Sequence, residues 1–459
     1  MPVVSNFVSS FPVNITGQVS SSLFVDGECT CAVDPASGTP PQNFFASAHY
    51  AGNTNICFSS QDGGNTWTRT NTSSLFVNKP CGADGVSVYD GFGNLFFVYL
   101  LTGQLGIELA VSTDGGQSFL PHGKGSVAVA VNFKECDNPA IAVGPPPPSY
   151  PGNPVASVWV SAYANGYGAY LFGAPVYGAG NVGSFANYRI SNASNWNDSS
   201  VSVGPAGQVF ATFSTGYNAN MGGGPNQLKG VLIEDGLFGR QISTFNIPGA
   251  FAEATNVGVA CLGQVFLHVQ PQPRRGIQPK VRVAWQRSQN FGRVYVAFLD
   301  RAGLDPETDV SVYVIYSDDQ GTTWSAPQAI SYTGSTQLNV AIAVDQSTEN
   351  VGVSWYDARD VPANNAARVY YSISTNHGYS WTAPAPMGIA PSSGLNADQF
   401  NYNFEFGDFD DMSYVNGTLF RAWGDNSGVN NVSPPNAFSD GQHFALAVSR
   451  VTKLQAAGT

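Results

Sequence analysis

Short runs in which apolar and polar residues alternate recur along the whole chain, separated by clusters of Gly, Asn, Asp and Pro. A period of two marks strands with one face buried, and the clusters mark the turns between them. In VSVYDGFGNLFFVYL from Val86, VSVGPAGQVFATF from Val201 and IAVDQSTENVGVSWYD from Ile342, an alternating run, a turn and a more apolar run follow in order. Similar pairs begin near Thr30, Ala140, Arg282 and Met412, which gives seven units of strand, hairpin and strand, each with further strand material behind it. No stretch of three helical turns carries an apolar stripe at 3.6-residue spacing. The pattern predicts an all-β chain.

An octapeptide recurs four times after such runs: Ser60 to Trp67, Ser112 to Phe119, Ser317 to Trp324 and Ser374 to Trp381. Its form is Ser-x-Asp/Asn-x-Gly-x-Ser/Thr-aromatic. That is the chemistry of a hairpin tip, where a carboxylate or amide accepts turn N–H groups and Gly takes a positive φ. The aromatic then folds back between strands. Repeats of ~40–50 residues match the period of propeller blades. The sequence therefore predicts one seven-bladed β-propeller over 1–459, with blades at about 28–80, 81–135, 136–195, 196–278, 279–335, 336–405 and 406–455. The last unit supplies about three strands, and Val3 to Val19 (within a closing segment, 1–20) supplies a strand without a partner of its own. Joining the two closes the ring and removes an open edge. The largest insertion runs from about Asn218 to Pro279, where GGGPNQ and QPQPRRGIQP read as long loops.

The four octapeptides, with units ending in WYDARD and FGDFDD, resemble the sialidase-like Asp-box (BNR repeat) propeller superfamily over essentially the whole chain. The resemblance implies the seven-bladed fold and a glycan-active protein, with the octapeptides acting as scaffold on the face opposite the active site. Sialidases of that superfamily also carry an arginine in an (F/Y)RIP motif ahead of the first octapeptide. Here the first arginine is Arg69, after that octapeptide, and Tyr188-Arg189-Ile190-Ser191 echoes the motif only in a later unit and without the proline.

Composition narrows the partners. Charged residues are 11% of the chain, against a usual ~25%, while Gly 51, Pro 29 and 12% aromatics suit a turn-rich β-structure. A net charge of -12 with only 19 Lys+Arg argues against nucleic acid. No run approaches the ~18 apolar residues of a membrane span, so no membrane insertion is expected. The N-terminus MPVVSNFVSS has neither a basic nor an apolar signal region, yet sequons at Asn14, Asn71, Asn192, Asn197, Asn416 and Asn431 favour a secreted or extracellular setting. The six cysteines show no zinc spacing, and Cys29 and Cys31, two apart on a strand, read as buried thiols.

In a propeller the first strand of each blade lines the central channel, and ligands bind on the face carrying the loop before it. Just ahead of each inner strand stand Glu28, Asp84, Asn138, Asp198, Asn339 and Asp410, the fifth unit alone departing. Such a ring either caps its own blades or, through Asp84, Asp198 and Asp410, holds Ca²⁺, which prefers six to eight oxygens. Asp408 and Asp411 add local negative charge.

The same face receives the ends of the second strands: His49 and Tyr50, Tyr217, Asp300 and Arg301, Tyr356-Asp357-Ala358-Arg359-Asp360, and Trp423-Gly424-Asp425. Aromatic faces with a few polar groups suit a carbohydrate. Arg301 and Arg359, with Tyr50, Tyr217 and Trp423, are the candidate substrate contacts, the two arginines for a carboxylate-bearing sugar. His49, Tyr356, Asp357, Asp360 and Asp425 are the candidate catalytic groups. The alternative is that these polar residues satisfy one another at blade junctions.

Three functions follow as expectations. One is a glycoside hydrolase on an acidic or complex carbohydrate, using two carboxyls from Asp300, Asp357, Asp360, Asp408 and Asp425. A second is a polysaccharide lyase acting on uronate-containing glycans. The third is a non-catalytic glycan-binding, surface or virion propeller. Ligand-face residues that differ from blade to blade favour one asymmetric pocket.

Overall fold

A computed structural model describes residues 7–14, 25–50, 54–75, 84–101, 106–121, 127–131, 136–164, 168–191, 196–215, 227–248, 267–277, 280–288, 292–301, 310–331, 334–394, 405–408, 410–427 and 445–453. These residues form seven four-stranded antiparallel sheets arranged as a seven-bladed β-propeller, and one separate two-stranded hairpin. The inner strands, in blade order, are Val25–Val33, Val86–Tyr89, Cys136–Gly144, Trp196–Val203, Val281–Trp285, Gln337–Val344 and Met412–Val415. Among the described residues, helix is confined to one 3₁₀ turn, Gly236–Phe238. No described helix is long and apolar enough to cross a membrane.

The ring closes where the alternating pattern predicts. Phe7–Asn14 pairs antiparallel with Ala445–Lys453, from Phe7 opposite Lys453 to Asn14 opposite Ala447, and forms the outer strand of the seventh blade. Blades then pack face to face through their alternate apolar residues. Phe44 of blade 1 meets Phe420 of blade 7 edge-on at 4.7 Å, Phe45 meets Phe97 of blade 2 at 5.7 Å, and Phe210 of blade 4 meets Trp285 of blade 5 at 6.3 Å.

All four octapeptides fold as one turn. In the first, the Asp62 carboxylate accepts the Asn65 and Thr66 N–H groups at 3.0 and 2.8 Å, and the Ser60 hydroxyl donates to Asp62 while accepting from Gly64. Asp114, Asp319 and Asn376 repeat the arrangement. Each turn leans on the preceding blade. Arg450 of blade 7 donates to the Gly63 carbonyl, and Gln61 of blade 1 donates to the Gly115 carbonyl at 3.0 Å. Trp324 of blade 5 packs on Phe210 of blade 4 at 6.0 Å. The aromatics differ in depth, however. Trp67 and Phe119 are buried, whereas Trp324 and Trp381 are only half-buried, so the rings fold back between the strands to different depths.

Candidate active site at the propeller axis

Four positions of the predicted ring, Asp84, Asn138, Asp198 and Asn339, share a backbone feature that sequence reasoning did not anticipate. Their φ values are 57°, 47°, 44° and 51°, the left-handed region. In three of them the inner strand shifts register against its neighbour at that residue, as a β-bulge does. Asp and Asn tolerate this conformation better than other side-chain-bearing residues. At these positions the residue type is thus selected first by the left-handed backbone that starts the inner strand.

The side chains then clasp the next blade rather than cap their own. Asp84 accepts the Asn138 N–H at 3.3 Å. Asp198 accepts the Val281 N–H at 2.7 Å, and both the Lys280 ammonium and the Arg282 guanidinium at 2.8 Å. Asn339 donates to the Phe406 and Gly407 carbonyls at 3.1 and 3.3 Å. Lys280 explains the departing fifth unit, where a cation replaces an acid and neutralises the neighbour's.

A hairpin from the large insertion, Leu267–Val269 with Gln272–Ile277, packs over this ring. The buried Gln272 accepts from Phe406 N–H at 3.0 Å and donates to the Gly407 carbonyl at 3.0 Å. Arg275 reaches Asp408 at 2.7 Å and Glu28 at 3.4 Å. Gly407, at φ 68°, passes so close to the Glu28 side chain that no Cβ could be added there.

Around the axis stand seven carboxyls (Glu28, Asp84, Asp137, Asp198, Asp408, Asp410, Asp411) and four cations (Arg275, Lys280, Arg282, Arg421). Protons make up part of the balance. Burial, then the charges of Glu28, Asp137 and Asp408, raises the Asp84 carboxyl well above its ordinary value. Burial also opposes ionisation of Asp408, but Arg275 and Lys280 outweigh it and hold that carboxyl at about 2. Asp410 goes the other way, pushed up by burial to about 8 although Arg421 pulls against it. Arg421 stands 3.5 Å away and donates instead to the Asn339 carbonyl and the Ser354 hydroxyl. Neither Asp410 carboxyl oxygen receives a hydrogen bond of ordinary length. Asp411 is raised by burial to about 6, with the Met412 N–H, Arg282 and Arg421 opposing the rise.

Asp410, Asp411 and Arg282 line one end of the axial cavity, which encloses about 180 Å³ between the inner strands of blades 2 to 7. Their ionisation sets a pH dependence. Asp410 and Asp411 keep protons in the fold that the unfolded chain, with ordinary values near 3.8, releases. Stability from these two groups is therefore complete below pH ~4 and lost as pH rises toward 8. Thermal unfolding should show Tm falling between pH 5 and 8 more steeply in the wild type than in Asp410→Asn. Identical slopes would show that Asp410 is already ionised.

The sequence-selected residues divide. His49 is buried at the end of its strand with Nδ1 3.8 Å from Glu28, so it joins the rim of the axial cluster. Asp357 is wholly buried and accepts from Trp355 Nε1 at 2.8 Å, Ser335 Oγ at 3.2 Å and Arg359 at 2.5 Å. Arg359 also lies over the Tyr370 ring at 4.4 Å, and Asp360 accepts the Tyr370 hydroxyl at 2.9 Å and Arg368 at 3.1 Å. Asp425 accepts from Ser392 at 2.7 Å. Tyr356 is buried against Phe406 and accepts the Gly424 N–H at 3.1 Å; Trp423 is buried with it. None of these lines the axial cavity. The Asp357, Asp360 and Asp425 carboxylates and the Tyr356 hydroxyl are hydrogen-bonded within and between blades. The side chains of Tyr50 and Arg301, and the whole of Tyr217, lie outside the described residues.

The donor set around the ring does not suit Ca²⁺ at Asp198 or Asp410. Lys280 and Arg282 already occupy the first, and Arg421, Lys280 and Arg282 surround the second. Among the described residues no three His, Cys, Asp or Glu side chains form a metal-holding group.

Asp137, Lys280, Arg282 and Arg421 were not singled out from sequence. For Lys280 the broken ring pattern was a usable signal; for Arg275, inside what reads as a loop, there was none.

No known family's sequence profile matches the chain, and no curated protein sequence matches it. Solved structures are similar in backbone arrangement. The Hadza microbial sialidase Hz136 is 11% identical with a TM-score of 0.45, over 92% of this chain and 75% of that one. The phage phi92 endosialidase is 10% identical with a TM-score of 0.47, over 100% and 72%. The α-L-arabinofuranosidase Arb93A from Fusarium graminearum is 11% identical with a TM-score of 0.48, over 97% and 98%. Likeness at this level leaves the chemistry to be read from the site itself.

Proposed function

We propose that the protein is a glycan-active hydrolase whose acid and base are Asp410 and Asp411 at the axial mouth. One observation carries this reading. Two carboxyls lining the same cavity are set apart, one at about 8 and the other at about 6. At neutral pH the first retains its proton for a leaving oxygen, and the second is ionised to take one from water. Environments that separate two carboxyls in this way define an acid and a base. Arg282, on the same wall, supplies a fixed cation to orient a polar or acidic sugar.

The closed mouth supports a second reading. Arg275, on the Gln272–Ile277 strand of the hairpin, ties it to Asp408 and Glu28 across the ring, as suits a propeller that binds a glycan without cleaving it.

A panel of aryl glycosides and acidic polysaccharides separates the readings, with ultraviolet absorbance reporting unsaturated uronate from a lyase. The expected result is hydrolysis with a bell-shaped pH profile centred near 7. Asp410→Asn should lower kcat by ~10²–10⁴ and Asp411→Asn should remove the acidic limb. Saturable glycan binding without turnover supports the second reading, and full activity in Asp410→Asn overturns the assignment of the acid.

A further inference from the structure

The axial cavity has two ends of opposite character. Arg287 lines it beyond the last residue of the inner strand Val281–Trp285, whereas Arg282 and Asp410 line it near the strand's start. The two arginines are five positions apart on a largely extended segment, on the order of 15 Å. The carboxylates gather at the Arg282 end. At the other end Arg287 has no carboxylate partner among the described residues. Its guanidinium makes one described hydrogen bond, from Nη1 to the Val143 carbonyl at 3.2 Å. Arg287 is half-buried, and that burial lowers its guanidinium to about 10, the direction expected of a cation with few compensating partners.

The cavity wall also carries hydroxyls with a hydrogen still to donate. Ser202 and Ser200 line the cavity and accept the Trp285 and Val283 N–H groups at 3.0 and 3.1 Å, so each hydroxyl hydrogen remains to be given. Ser87 lines the cavity too; it is 3% exposed, and its hydroxyl has no hydrogen-bond partner. Gly144 is kept free of a side chain mainly by Val203, whose Cβ would lie 2.5 Å from a Cβ there, and Arg287 Nη1 reaches the same spot at 2.9 Å. A guanidinium and hydroxyl donors facing about 180 Å³ exceed what water needs, since one molecule requires only ~10–15 Å³.

We propose that the Arg287 end of the axial channel is a binding site for a small oxyanion, held by the Arg287 guanidinium with Ser202 as the nearer hydroxyl donor. The chemistry is that of sulfate, inorganic phosphate or a free carboxylate: compact, negatively charged and rich in acceptors. The site is separate from the carboxyl pair at the other mouth and does not depend on the hydrolase reading.

The test is calorimetric titration of the full chain with sodium sulfate and with inorganic phosphate, paired with thermal unfolding against sodium chloride at equal ionic strength. The expected result is saturable binding and a Tm rise beyond the chloride control. Arg287→Gln should weaken the apparent affinity more than about tenfold, the loss of one charge-assisted hydrogen bond. Asp410→Asn should leave it unchanged. Circular dichroism checks that Arg287→Gln folds, and Ser202→Ala, which keeps the cation, should weaken binding by a smaller factor if it does not. A response equal to the chloride control, or unaltered affinity in both variants, overturns the proposal.

Discussion

Arg275→Met should lower the free energy of unfolding by about 3–5 kcal/mol, the range for removing one partner of a buried ion pair. The guanidinium is 8% exposed and bridges two acids of the ring, Asp408 at 2.7 Å and Glu28 at 3.4 Å. Methionine fills much of the space but leaves Asp408 ionised and buried without its main counter-charge. The deficit should therefore shrink as pH falls and Asp408 takes up a proton, and it should be partly restored in Arg275→Met/Asp408→Asn. Urea unfolding at pH 7 and pH 4 reads both effects. A cost below 1 kcal/mol at pH 7 would mean that water, not Arg275, solvates the ring.

Trp67→Ala should cost about 3–5 kcal/mol, the range for an aromatic removed from a packed core. Trp67 is 3% exposed, donates from Nε1 to the Gly64 carbonyl at 3.1 Å and stacks on Phe420 of the seventh blade at 6.0 Å. Trp381→Ala should cost distinctly less, because that ring is half-buried and its indole N–H has no hydrogen-bond partner. Denaturant unfolding of the two variants side by side checks the order. Equal costs would show that depth of burial does not govern these turns. Activity per folded molecule should be unchanged in both, as the turns lie away from the carboxyl pair.

The propeller was legible because its signals are local and repeated. Alternation gives strands, the octapeptide gives the third hairpin of four blades, and an orphan strand at one end matches a three-strand unit at the other. The site was legible only in outline. Position along the repeat placed Asp84, Asp198 and Asp410 at the axis, but at Asp84 and Asp198, as at Asn138 and Asn339, the residue type answers to a left-handed backbone, a property that residue spacing does not encode. Asp357, Arg359 and Asp425 show the opposite failure. Their position on the ligand face was inferred from strand order, yet their partners come from neighbouring strands and turns such as Trp355, Tyr370 and Ser392. Arg275 escaped notice because its role comes from tertiary docking of a hairpin, and nothing in QPQPRRGIQP announces that docking.

The seam in the seventh blade also constrains how the chain is made. Phe7 and Lys453 stand side by side in one sheet although almost the whole chain separates them. Loop-closure entropy opposes that contact more than any hairpin within a blade, and such long-range pairings form slowly. On the ribosome, blades 1 to 6 can assemble in order as they emerge, an open arc whose first strand has nothing to pair with. Until Ala445–Lys453 follows, the nascent molecule carries the unpaired strand Phe7–Asn14 and the open edge of Thr418–Asp425, the two partners that last strand joins. The interval between the sixth blade and the last strand is thus when a second nascent chain, offering the same strand, competes for the seam.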